Sequence, residues 1–129
     1  MKPLADAAVR RITAAVLKGE RRTADVMVTF LGPTRMQALN REHLGHDRPT
    51  DVISFALPTP DGRLVGDIYI CRAVAAAQAK ALKVPLREEL VRLVVHGTLH
   101  VLGYDHPAGE GRTKSEMWKR QERYVRRLA

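Results

Sequence analysis

The sequence predicts a single domain in which a few short strands pack with about five helices. Three observations carry that expectation. At 129 residues the chain is long enough for one hydrophobic core. Its 45% hydrophobic and 28% charged residues are those of an ordinary globular protein. Three short apolar segments read as strands, and the remaining patterned segments repeat their apolar residues at the helical interval.

Taken in order, Pro3–Lys18 is expected to be an amphipathic helix, with Leu4, Ala8, Ile12, Ala15 and Val16 on one face and Gly19 as its stop. Lys2, Arg10, Arg11, Lys18, Arg21 and Arg22 make this region basic, which fits a solvated face and a phosphate-contacting one equally well. Ala24–Leu31 alternates Val26, Val28 and Phe30 and reads as a strand. Gly32-Pro33 breaks it, and Pro33 suits the first turn of a helix to about Leu44, with Met36 and Leu39 inward and His43 a candidate for the same side. Gly45–Pro49 is a loop, where His46, like His43, reads as a loop or surface residue in preference to a metal ligand.

Thr50–Leu57 is the second strand, and the Asp61-Gly62 turn leads into the third, Leu64–Ile70, antiparallel to it. Gly66 and Asp67 are unusual in a strand and suggest a bulge or the close approach of another group. Arg72–Lys83 is an alanine-rich helix for close packing, with Ala73, Ala76, Ala77 and Lys80 along one side. Pro85 starts the next helix, buried through Leu86, Leu90, Leu93, Val94 and Leu102, with Glu88 and Glu89 near its positive end. After a loop at Pro107–Gly111, Arg112–Leu128 is a last helix offering Met117, Trp118, Tyr124 and Val125 to the core.

Chemistry concentrates in His96–His106, HGTLHVLGYDH, which holds three of the five histidines. A helix stacks His96 and His100 on one face. Gly103 accepts the left-handed backbone that ends many helices, so the chain can fold back and bring His106 towards the other two. Three neutral imidazoles with a fourth position open to water commonly hold catalytic zinc. The spacing H-x3-H-x2-G-x2-H is that of the zinc-binding part of the metzincin protease motif. Those proteases carry Glu after the first histidine as general base, whereas this chain has Gly97. Glycine takes no proton and costs about 1 kcal/mol relative to alanine in mid-helix. Its use is room, and the site points to metal-assisted hydrolysis of something other than a peptide.

The formal charge of +8 points to an anionic partner, with nucleic acid first. Arg120, Arg123 and Arg127 on the last helix are the candidate RNA contacts, against a merely solvated face. The single Cys71 excludes an internal disulfide and fits a reducing cytoplasm. No stretch approaches the ~18 apolar residues of a membrane span. The run Ile12–Leu17 is too short for a secretory signal core.

HGTLHVLGYDH (96–106), PTDVISF (49–55) and GDIYIC (66–71) together resemble the YbeY endoribonucleases, bacterial rRNA-maturation factors, and Leu39-Asn40 and EMWKRQE (116–122) add to the match. The resemblance implies an α+β fold, a small mixed β-sheet packed against helices that include the metal helix. Family members usually open with an additional strand, so three strands follow from the pattern and a fourth only by analogy. It implies a cytoplasmic, zinc-dependent, single-strand-specific endoribonuclease. That enzyme would act in 3′-end maturation of small-subunit rRNA and in quality control of the ribosomal small subunit. The zinc ligands carry over onto His96, His100 and His106.

One departure matters: the family's Tyr-Arg pair before the Thr-Asp-Val falls on His43 and Leu44. Arg48, just before Pro49-Thr50-Asp51, is the first candidate to replace that arginine, ahead of Arg41. Asp51 is either a partner for a histidine N–H beside the metal or a backbone cap at the strand entrance, and Asp105 is similarly divided. Cys71 is disfavoured as a fourth ligand. The competing readings are a non-catalytic ribosome-assembly factor with a zinc site and a metallopeptidase lacking its glutamate.

Overall fold

The computed structural model describes residues 4–105, 111 and 115–129. Its elements run α1 (Asp6–Gly19), β1 (Asp25–Leu31), α2 (Pro33–Leu44), β2 (Val52–Pro58), β3 (Leu64–Cys71), α3 (Arg72–Leu82), α4 (Leu86–Val101) and α5 (Glu116–Leu128). Among the described residues, five helices and a three-stranded mixed sheet make an α+β fold, as expected. Among the described residues the sheet has three strands in the order β1-β3-β2, so β3 is central. It pairs in parallel with β1 (Val28 opposite Ile68) and antiparallel with β2 (Ser54 opposite Ile68).

The strand period of two sorts side chains onto two faces. Val26, Val28, Phe30, Val52, Ile68 and Ile70 face the main core, shared with α1, α4 and α5. The opposite face carries Ile53, Phe55, Tyr69 and Cys71, covered by Met36 and Leu39 of α2. Helix α4 is the axis of the main core: Leu90–Leu99 is buried apart from Arg92, so this helix packs against the sheet and against other helices. Burying each of Leu90, Leu93 and Leu99 contributes roughly 1.5–3 kcal/mol.

Two glycines set how closely α4 lies on the sheet. A Cβ on Gly97 would come within 2.8 Å of Ile68 Cγ2 and 3.1 Å of Ser54 Oγ. The room predicted at Gly97 is therefore filled by the sheet. A Cβ on Gly66 would lie 2.6 Å from Val101 Cγ1, so the oddity in the third strand is a close approach by α4. The register runs unbroken through Gly66 and Asp67, and no bulge forms there.

Three expectations are corrected. Helix α3 buries Ala75 and Ala79, whereas Ala73, Ala76, Ala77 and Lys80 line its exposed side. Alanines stand on both faces, so composition could not tell which one the sheet would cover. His43 is exposed at the end of α2, its ring edge resting on Phe55 with centroids 5.2 Å apart. The buried polar residue of α2 is Asn40, whose Nδ2 donates to the Arg48 carbonyl at 2.8 Å and ties down the following loop. The last helix starts at Glu116, where the Ser115 hydroxyl accepts the Trp118 N–H at 3.1 Å as an N-cap. Residues 112–114 of that predicted helix lie outside the described residues.

Candidate metal centre

The site is built at the C-terminal end of α4. His96 is buried and His100 half-buried, and their rings meet edge to face with centroids 4.6 Å apart. Four-residue spacing on a helix brings them together, as the sequence implied. The helix ends as predicted at Gly103, whose φ of +100° suits glycine. Gly103 N–H donates to the His100 carbonyl at 2.9 Å and Tyr104 N–H to the Leu99 carbonyl at 3.1 Å, the paired bonds of a Schellman turn. That turn delivers the Tyr104 carbonyl to His100 Nδ1 at 2.9 Å.

His96 Nδ1 lies 2.7 Å from Gln121 Oε1 of α5. In both rings Nδ1 therefore faces an oxygen acceptor and carries the proton, which puts the lone pair of each neutral imidazole on Nε2. Two adjacent imidazoles of this tautomer, each oriented through its other nitrogen, are the donor chemistry that zinc takes. The residues fit the group. His106, the third predicted ligand, lies outside the described residues. Among the described residues no group of three His, Cys, Asp or Glu is placed to hold a metal ion.

Behind His96 stands a charged cluster. Arg92, one turn earlier on α4, reaches Glu88 at 3.2 Å, Glu89 at 2.9 Å and Glu122 at 2.9 Å. Burial pushes the Glu89 carboxyl above its usual range; Arg92 opposes the rise, and the Asp51 and Glu122 charges add to it. Burial also acts on Glu122, but hydrogen bonds from Arg92 and Gln121 outweigh it and hold that carboxyl low. The guanidinium is held charged more firmly than usual by its bonds to Glu122. A cleft of about 590 Å³ opens here, with Leu82, Val84 and Trp118 as apolar wall and Asp51, His96 and Gln121 at its polar side.

Asp51 thus shares a cleft with His96, while its carboxylate accepts from Val52 N–H at 2.8 Å and the Thr50 hydroxyl at 3.3 Å. Those bonds are the backbone cap. The partner of His96 is Gln121, which the sequence reading passed over; its place in EMWKRQE was the available signal. Cys71 is buried under α2, and its N–H donates to the Asp51 carbonyl at 2.9 Å.

Arg48 is exposed on the loop entering β2, and Arg41 is held by Asp47 at 3.4 Å. The three α5 arginines expected to contact RNA differ. Arg120 binds Glu20 at 3.1 Å and Glu116 at 3.0 Å, whereas Arg123 and Arg127 are exposed. The Glu20 side chain is 5% exposed and accepts from the Tyr104 and Tyr124 hydroxyls, each at 2.6 Å. This knot, absent from the sequence reading, ties the end of α1 to α5.

The family model for endoribonuclease YbeY matches residues 2–129. The chain belongs to the YbeY family. An endoribonuclease YbeY of Sulfurihydrogenibium sp. is 44% identical over 89 residues, 67% of this chain and 59% of that relative. The match thus spans less than two thirds of that relative's length. The Chlorobium luteolum endoribonuclease YbeY is 34% identical over 128 residues, 98% of this chain and 91% of that relative. A solution structure from Thermotoga maritima, 32% identical, superposes with a TM-score of 0.67 over 93% of this chain and 78% of that one.

Leu44, where the resemblance places an arginine, ends α2 with 51% of its surface exposed. No described helix is long and apolar enough to cross a membrane.

Proposed function

We propose that this chain is a zinc-dependent endoribonuclease that cleaves single-stranded RNA, acting in the cytoplasm on small-subunit rRNA and the ribosomal small subunit. The observation that carries the reading is the His96–His100 pair with both Nδ1 atoms donated to oxygens. The relatives named endoribonuclease YbeY give the reaction class. His96, His100 and His106 would hold the metal, which supplies an activated water and polarises a phosphoryl oxygen when bound.

The chain's own residues do the rest. Leu82, Val84 and Trp118 wall the cleft beside His96, a surface on which an unpaired base can rest but a paired one cannot be presented. Arg123 and Arg127 are exposed on α5, beside the equally exposed Lys119 and Arg126, and would contact the RNA backbone, with Arg120 already engaged by Glu20. Arg48 supplies the positive charge that steadies the phosphoryl group, in the role Leu44 cannot fill. Gly97 lies against Ile68 and Ser54, with no space for the peptidase glutamate.

The test is cleavage of single-stranded RNA by the pure protein, with chelator, with zinc restored, and with Arg48→Ala. Cleavage should vanish with chelator and return with zinc. Arg48→Ala should lower the rate by ~10²–10³ at unchanged zinc content. A zinc-loaded protein that leaves single-stranded RNA intact would instead be an assembly factor.

A further inference from the structure

The bonds around Gln121 form a directed chain. Arg92 Nε and Nη2 donate to the two oxygens of Glu122 at 2.9 and 3.0 Å. Glu122 Oε2 accepts from Gln121 Nε2 at 2.9 Å. Gln121 is 1% exposed and places Oε1 2.7 Å from His96 Nδ1. A carboxylate held by a guanidinium only accepts, so the amide end facing Glu122 must be the NH₂. The end facing His96 must then be the oxygen, and the ring nitrogen opposite it must carry the proton. The salt bridge thereby decides which nitrogen of a buried histidine keeps its lone pair.

We propose that Gln121 is the positioning residue of His96. Its amide, oriented by Glu122 and Arg92, fixes both the ring and the tautomer that leaves Nε2 for the metal. The inference rests on His96 being a metal ligand. It also distinguishes this site from a carboxylate–histidine pair: an amide draws on the Nδ1 proton less strongly, so the imidazole stays a weaker donor. Arg92 and His96 are one turn apart on α4, and the path between them runs through α5. The docking of α5 is therefore part of the metal site.

The experiment uses the full chain and the near-isosteric Gln121→Met. Zinc affinity is measured by competition with a chromophoric chelator, and the His96 tautomer by nitrogen NMR of the zinc-free protein. The parent should show Nδ1–H. The variant should bind zinc about 10–100-fold more weakly and lose the single Nδ1–H form. A purely structural glutamine would lower stability without moving the tautomer. His96→Ala separates the two claims. If that variant holds zinc like the parent, the metal-site reading fails. If it loses zinc while Gln121→Met keeps both parental affinity and the Nδ1–H tautomer, the positioning role alone is overturned. Should Gln121→Met not fold, the parent decides: Nε2–H on His96 overturns the proposal and Nδ1–H supports it.

Discussion

Two polar clusters flank α5, and they are built in opposite proportion. At Glu20, one buried carboxylate collects three donors, the hydroxyls of Tyr104 and Tyr124 and the Arg120 guanidinium. At Arg92, one guanidinium is shared by three carboxylates, Glu88, Glu89 and Glu122. Burial pushes Glu20 up, but its two tyrosines and Arg120 outweigh it and hold the carboxyl below its usual range. Burial pushes Glu89 up too, and there the shared guanidinium is not enough. The donors that each carboxylate itself collects, weighed against its burial, thus decide the direction: Glu122, with bonds from Arg92 and Gln121, stays low in the cluster where Glu89 rises. The first cluster closes the fold between α1 and α5. The second leaves negative charge in excess beside the histidines, where a cation is expected.

The sharpest break between the two should appear in metal content. Purified protein should carry about one zinc per chain. His96→Ala and His100→Ala should each abolish it, and Glu20→Leu should leave it unchanged. Metal analysis reads all three; zinc retained in either histidine variant would sink the assignment.

Stability should show the reverse. Glu20→Leu strands two hydroxyls and a partly exposed guanidinium, and each buried donor left without its acceptor costs roughly 1–3 kcal/mol, measurable by denaturant unfolding. The same carboxylate should set the pH limits. Its lowered pKa means its contribution is present above the ordinary 4.5 and lost as pH falls through the folded value. Burial and the Glu20 bond push Tyr124 up to about 12 from 10.0, so its contribution is complete below 10.0 and lost as pH rises towards 12. Glu20→Leu should flatten the acid and alkaline limbs together; a change in only one would break the coupling.

The smallest effect is expected at Gly97, which belongs to neither cluster. Gly97→Ala sets a methyl 2.8 Å from Ile68 Cγ2. Overpacking of this kind costs ~1–3 kcal/mol. Because it lifts α4 from the sheet, thermal melting and zinc affinity should fall together. A fall in stability with parental zinc affinity would show that the histidines do not depend on that contact.

Much of this was legible in the sequence because it rests on local spacing. His96 and His100 share a helix face, Gly103 ends the helix, and Pro33 and Asp61-Gly62 mark boundaries that the structure keeps. What stayed hidden depends on tertiary geometry. Glu20 sits among Lys18, Arg21 and Arg22 and reads as one more surface charge, since its partners are 84 to 104 residues away. Gln121 is likewise 25 residues from His96, with no period connecting them. Trp118, a core candidate by its helical spacing, lines the cleft.

Tyr104 serves the Glu20 cluster and the histidine pair through different atoms: its hydroxyl donates to Glu20, and its backbone carbonyl accepts from His100. A side-chain scan would register only the first. Tyr104→Ala would report a loss of stability, and position 104 would be scored as a scaffold residue. Its contribution to orienting His100 would escape notice, because every amino acid placed there brings a carbonyl. Recombination and drift can therefore rewrite residue 104 without touching His100, provided the turn at Gly103 survives. The site is most exposed to mutation at the glycine that aims the carbonyl, one residue before the group that does the binding.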